Sequence, residues 1–368
     1  MKKSLKGWVL LLVFVFVVAG LAACTQPATQ APAQDTPAAE TPATDTAPAD
    51  TPSAGGYTFP VIAKEDIVIG FNNGSVTVDF LRIVDDNMRF AAEQNGIPIL
   101  VAESNFDSEK VLPTVDNLLL QGANIIVDFN CNAEIGGALV DYCGERGVPV
   151  IGIDVFYEGI YGDTSWFFGA NNEQAGLVAG YGLAEGIKDR WGGEIEKLVL
   201  FTNSAAGELV FTRVYNIYLG LLESGIELDE SNVEFIDTEG TVDATMIMNQ
   251  KFTDWLTANP GLTKIGGGGP NPETTQGAFS AAQISNRDAD CLLVSHNNGF
   301  QTLAAFEQGV NSWLGGVAYW PNRYGDYIVP LAIDIMTGKN PPKMNTMEHS
   351  FLKRGDEDLI LEELGEKK

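Results

Sequence analysis

Residues 67–102 read IVIGFNNGSVTVDFLRIVDDNMRFAAEQNGIPILVA, and this stretch decides the fold class. Ile67, Val68, Ile69 and Phe71 make a short apolar run. After a polar loop, Phe80, Ile83, Val84, Met88 and Ala91 recur at helical spacing, Asn95-Gly96 closes the helix, and Ile97 to Ala102 forms a second apolar run. The change of period predicts strand, loop, helix, strand. Strands that are apolar along their whole length and separated by amphipathic helices imply a parallel sheet covered on both faces, with right-handed crossovers.

The alternation continues outward from there. A helical segment around Val115, Leu118 and Leu119 precedes the run Ile125 to Phe129, then a helix near Ile135 to Cys143 and the run Val148 to Ile153. Pro113 requires that the helix after Asp107 either start near the proline or have irregular first turns. A second round follows: Leu198 to Thr202 as strand, Leu209 to Glu223 as helix, Val233 to Ile236 as strand, a helix through Met246 to Leu256, and strands at Thr263 to Gly267 and Cys291 to Ser295. The fold class is therefore α/β, with two doubly wound, Rossmann-like lobes. Ligands of such sheets bind beyond the carboxyl ends of the strands, which predicts a cleft lined by both strand-end rims.

Upstream of the first strand the chain is of a different kind. Lys2, Lys3 and Lys6 precede an uncharged apolar run from Trp8 to Val18 that ends in mostly small residues, the layout of an export signal over residues 1–23. The run is shorter than the roughly twenty residues of a membrane span. Leu21-Ala22-Ala23-Cys24 resembles the lipobox of bacterial lipoproteins, which implies lipidation of Cys24 and anchoring of the protein on the outer face of the cytoplasmic membrane. Prolines 27, 32, 37 and 42 and the acids Asp35, Glu40, Asp45 and Asp50 both recur at steps of five within a Thr, Ala and Gln background up to residue 56. No apolar face can be assembled from that composition, so it reads as an extended, solvated tether, with a glycosylated stalk as the alternative.

Asp and Glu number 49 against 22 Lys and Arg, a formal charge of −27 in 368 residues. Nucleic acid and anionic membrane surfaces are excluded as partners by repulsion. With Cys24 set aside, Cys131, Cys143 and Cys291 permit at most one disulfide, perforce leaving a free thiol, and three buried free thiols is the simpler reading. His296 and His349 are the only histidines, and no CxxC occurs, so neither a metal site nor a cofactor is expected.

From residue 67 to 351 the order of segments resembles the ribose- and galactose-binding branch of type I periplasmic binding proteins. The resemblance is carried by GVPVIGID at 147–154, GANNEQAG at 169–176, NPETTQG at 271–277 and GVAYWP at 316–321. It implies three chain crossings between lobes, near Ala170, Tyr319 and Glu348. Lobe one would then hold residues 57–170 and 320–346, and lobe two residues 171–319 and 347–368. It further implies a monomeric, solute-binding partner of an ABC permease, closing on a small neutral sugar or polyol.

The same resemblance implies the pocket. Asp154 matches the family aspartate at the end of the fourth strand, and Arg213 the ligand-binding arginine of the helix after Asn203, although Asn216 stands where the family has glycine. Asn271 and Asn297 fall at strand ends, Phe80 matches a stacking aromatic, and Asn72, Asn73 and Asp79 surround the first strand-to-helix loop. Glu239, Tyr319 and Trp320 complete the set. Val155 replaces the arginine of the ribose-binding pattern, and the carboxylates outnumber Arg213, so a phosphorylated or carboxylated ligand fits poorly.

An enzyme finds little support: GxSxG, GxxxxGK[ST] and HExxH are all absent, and Gly266 to Gly269 lacks the Lys-Ser/Thr of a phosphate loop. A ligand-presenting sensor of sugar or autoinducer is the alternative to a transporter.

Overall fold

A computed structural model describes residues 56–367 apart from 131–132, 161, 205–206, 241–243 and 310. The export signal, Cys24, nearly all of the tether and Cys131 lie outside the described residues.

The first body begins β1 (Ile69–Asn73), α1 (Asp79–Asn95), β2 (Ile99–Glu103), α2 (Ser108–Leu120), β3 (Ile125–Phe129), α3 (Ala133–Gly144), β4 (Val150–Ile153) and β5 (Trp166–Ala170). The second comprises α4 (Asn172–Trp191), β6 (Lys197–Thr202), α5 (Gly207–Glu223), β7 (Val233–Asp237), α6 (Ala244–Ala258), β8 (Ile265–Gly269), α7 (Pro272–Ile284), β9 (Cys291–His296), α8 (Phe300–Glu307) and β10 (Trp313–Ala318). Then come α9 (Tyr324–Met336), β11 (Met344–Met347), β12 (Ser350–Lys353) and α10 (Glu357–Glu363). One sheet has the order β11-β5-β4-β3-β1-β2, the other β12-β10-β9-β8-β6-β7. The first is parallel throughout, and the second is parallel except for β12, which runs antiparallel to β10.

Each sheet is buried on both faces, which is why its strands read as unbroken apolar runs. Ile125, Val127 and Phe129 of β3 enter one core with Ile69, Phe71 and Ile153, while the intervening Ile126 joins Val115, Leu118 and Val140 on the opposite face. In β6, Leu198 and Leu200 face Val214 and Ile217, whereas Val199 and Phe201 face Phe252 and Phe279. The period of two places alternate side chains in separate cores.

α2 is continuous through Pro113. Asp107 caps it by accepting from Glu109 N at 3.0 Å, and Val111, Val115 and Leu118 bury its inner face. The proline sits in the helix interior and withholds one intrahelical N–H, a local loss that the cap and the buried face outweigh. Ile360 and Leu364 of α10 lie in a core that holds Ile83 and Ile328 of the first body together with Phe306 and Leu352 of the second, so α10 touches both. Among the described residues no helix is long and apolar enough to cross a membrane.

The chain passes between sheets three times: from β5 to α4, from β10 to α9, and from β11 to β12 with only Glu348 and His349 between those strands. α4 and α5 pack unusually closely. A Cβ on Gly176 would lie 2.4 Å from both Arg213 O and Asn216 Cβ, and one on Gly180 would lie 2.4 Å from Ile217 O. Asn216, standing where the family resemblance implies glycine, is thus accommodated by glycines on the facing helix.

Candidate functional site

A cleft of about 420 Å³ opens where the carboxyl ends of the two sheets face each other. From the first body it is lined by Asp79, Phe80, Phe129 and Asp154, and from the second by Asn203, Arg213, Asn271, Asn297 and Asn298. Tyr319, on the second crossing, and Glu363, from α10, reach it as well.

Asp154 follows β4 in the left-handed region at φ 59°, a conformation that aspartate tolerates better than most residues. Its Oδ1 accepts from Ala170 N at 2.9 Å and from Tyr324 Oη at 3.1 Å. Gly169 makes the room, since a Cβ there would come within 2.3 Å of Asp154 Oδ1. Burial raises the Asp154 carboxyl above its ordinary range, against the opposing pull of the Ala170 N–H and of Arg213. One carboxylate oxygen is therefore committed to the scaffold.

Arg213 is held from two sides. Its Nε donates to Asn172 Oδ1 at 2.9 Å and its Nη1 to Pro270 O at 3.3 Å, and the guanidinium lies 5.2 Å from the Tyr319 ring centroid. The motif at 169–176 can be read residue by residue from these contacts. Gly169 clears Asp154, Ala170 N bonds it, Asn171 Oδ1 caps α4 by accepting from Gln174 N at 3.1 Å, Asn172 orients Arg213, and Gly176 admits α5.

Phe80 meets Phe129 and Tyr324 edge to face, at 6.3 and 5.7 Å between centroids. Asn271 caps α7, accepting from Thr274 N at 2.9 Å, so its carbonyl is spent and its amide N–H₂ remains. Asn297 turns the chain after β9 at φ 61°. Tyr319 is buried, with its hydroxyl 3.0 Å from His296 Nδ1, and burial pushes it up to about 12.

Seven of the eleven expected ligand residues thus line the cleft: Asp79, Phe80, Asp154, Arg213, Asn271, Asn297 and Tyr319. Four do not. Asn72 and Asn73 are fully buried in β1, where Asn72 Nδ2 donates to Asp128 Oδ1 at 2.6 Å and Asn73 Nδ2 to Leu81 O at 3.2 Å. Glu239 follows the edge strand β7, is exposed, and pairs with Lys251 at 2.6 Å. Trp320 occupies the left-handed region at φ 51°, is buried in the first core, and carries the Arg323 guanidinium 4.2 Å from its ring centroid.

Glu363 was missed by sequence reasoning. It accepts from Tyr319 N at 2.8 Å and from Asn298 Nδ2 at 2.9 Å, tying a strand end of the second body to a crossing, and burial raises its carboxyl to about 7. A glutamate in an acidic C-terminal helix carries no local signal of such a return. Tyr324, which braces Asp154, and Asn172 were missed for the same reason: each acts through a contact distant in sequence.

Residues 69–340 match the family model described as periplasmic binding protein domain. The ribose import binding protein RbsB of Bacillus subtilis (strain 168) is 21% identical over 280 residues, covering 76% of this chain and 85% of that protein. Among solved structures, an ABC transporter solute binding protein from Agrobacterium vitis bound with alpha-D-tagatopyranose superposes with a TM-score of 0.65 at 17% identity, covering 79% of this chain and 95% of that one. One from Bacillus halodurans C-125 with bound myo-inositol gives a TM-score of 0.65 at 16% identity, covering 82% and 99%. These structural likenesses are likenesses of fold.

Proposed function

This chain belongs to the periplasmic binding protein domain family, and from that premise we propose that it is the extracytoplasmic solute-binding lipoprotein of an ABC importer, binding a monosaccharide or similar small polyol without catalysis. The observation that carries the reading is the cleft itself. It has a volume within the range of about 300–1,000 Å³ usual for small-molecule sites, and its polar residues come from both sheets and from a crossing. Paired acceptors and donors such as Asp154, Arg213 and Asn271 suit vicinal hydroxyls, and the Phe80 ring suits the C–H face of a sugar. The ligands named for the relatives, ribose for the import binding protein and tagatose and myo-inositol for the two solved structures, are of that class.

Movement of the two lobes about the three crossings completes the contact set, so ligand selects the closed form by its differential affinity. Lipid on Cys24 would hold the protein at the membrane beside its permease, with residues 25–56 as the leash. The test has two arms. Mass spectrometry of the small molecules released on denaturing the purified protein identifies the solute, and small-angle scattering with and without it should show a smaller radius of gyration when it is bound. An unchanged radius with saturating solute would reject closure. Cys24→Ala should move the protein out of the detergent phase, and unaltered partitioning would reject the anchor.

A further inference from the structure

We infer that His349 is the positioning residue of the hinge, a neutral imidazole that fastens the three crossings to one another and thereby sets the solute affinity, so that acid loosens the hinge and releases the solute. The proposal rests on the reading of the cleft as a closing solute site.

His349 lies between β11 and β12, on the third crossing. Its Nε2 accepts from Asn171 N at 3.1 Å, on the first crossing, and its Nδ1 lies 3.0 Å from Ala318 O, on the second. A carbonyl can only accept, so Nδ1 carries the proton and donates, and Nε2 must be bare to receive the Asn171 N–H. One ring thus bonds all three connections, and only its neutral Nδ1–H tautomer can do so. The ring also lies 4.7 Å from the Tyr319 ring centroid. Tyr319 in turn lines the cleft, faces Arg213 and meets His296 Nδ1.

A second proton on Nε2 would set two donors against each other and abolish the bond to the first crossing. The charged and titratable groups around the ring do not favour that proton. Arg213 of α5 repels it, and the neighbouring His296 at the end of β9 and Tyr319 are both buried and uncharged. Glu363 of α10 is directed to the backbone of Tyr319 and to Asn298, and Glu348 is exposed beside the ring in sequence. Burial first, and Arg213 after it, hold His349 below its ordinary value of 6.5. The sign follows: the intact hinge stays neutral, the loosened one takes up a proton below 6.5, and the fastened state loses ground as pH falls through that region.

The test uses the full-length protein in detergent. Because the chain has only two histidines, their imidazole ¹⁵N resonances can be assigned with single substitutions. The expected result for His349 is an Nδ1–H tautomer that titrates below 6.5, with faster hydrogen exchange at the Asn171 amide on acidification. In parallel, D-ribose, D-tagatose and myo-inositol are titrated as probes at pH 7.5 and 5.5. The wild type should bind its preferred probe about tenfold more weakly at the lower pH, while His349→Gln, which can accept and donate but not titrate, should lose that dependence. Slopes due to Asp154 or Glu363 would survive in the variant, and an equal slope in variant and wild type overturns the proposal. So does an imidazole with the Nε2–H tautomer or a normal titration. If none of the probes binds, the solute reading fails on its own, and the tautomer and amide exchange still decide the role of His349.

Discussion

Asp154→Asn is expected to weaken solute binding about tenfold to more than a hundredfold while leaving the fold as stable as before. The magnitude follows from how the carboxylate is held. Oδ1 is saturated by Ala170 N and Tyr324 Oη, and an asparagine carbonyl can take over both bonds. The second oxygen becomes an N–H₂ group, which offers donors where solute hydroxyls need an acceptor and removes the negative charge opposite Arg213. A hydrogen bond to a charged partner is worth about 1.5–3 kcal/mol, which converts to that range of dissociation constants. Stability should not suffer, because the raised carboxyl shows that the ionised side chain is disfavoured where it sits. Calorimetric titration with the identified solute, paired with thermal unfolding of both proteins, reads the two effects separately. An affinity within twofold of wild type would refute the assignment of Asp154 to the solute, and a joint loss of affinity and stability would make it a structural residue.

Gly176→Val places a side chain into the seam between α4 and α5 and should lower stability by about 1–3 kcal/mol, seen as a lower denaturant midpoint, with weaker binding because Arg213 sits at that contact. An unchanged midpoint would mean that the helices part freely. Cys143 and Cys291 are free, buried and raised by that burial, so reductant should leave thermal unfolding unaltered. A drop equivalent to the about 2–4 kcal/mol of a disulfide would contradict this. Glu363, raised from 4.5 to about 7, is protonated in the folded state at pH values where the unfolded chain has released its proton, so its contribution is full below 4.5 and is lost as pH rises through 7. Chemical unfolding of wild type and Glu363→Gln at pH 5 and pH 8 should therefore show a stability difference that changes by about 3 kcal/mol between the two, and parallel profiles would refute it.

The order of strands and helices was legible because both sheets are covered on both faces, which leaves whole runs such as Ile125 to Phe129 apolar. The cleft was legible where a residue type is demanded by position. Asp154 and Asn297 adopt positive φ at strand ends, and Asn271 begins a helix, so small polar side chains are favoured there for backbone reasons as well as for binding. Asn72 and Asn73 misled because a polar residue at the end of β1 can face the cleft or a buried partner, for Asn72 the Asp128 carboxyl that burial raises to about 6 and for Asn73 the Leu81 carbonyl, and spacing along one strand does not tell which. Glu239 misled because its loop follows the outermost strand, and sheet order is not written in any single segment.

The crossing from β11 to β12 bears on how the chain is made. β11 covers the flank of β5, and β12 covers that of β10, so residues 344–353 finish both sheets at once. Up to that point a growing polypeptide presents β5, with its sequence WFFGA, and β10 as bare hydrogen-bonding edges, and naked edges of this kind recruit other chains. A ribosome that stalls a few dozen codons early would thus release a product bordered by the apolar β5 and by β10, whereas the finished chain replaces both borders at once with the short, largely exposed β11 and β12.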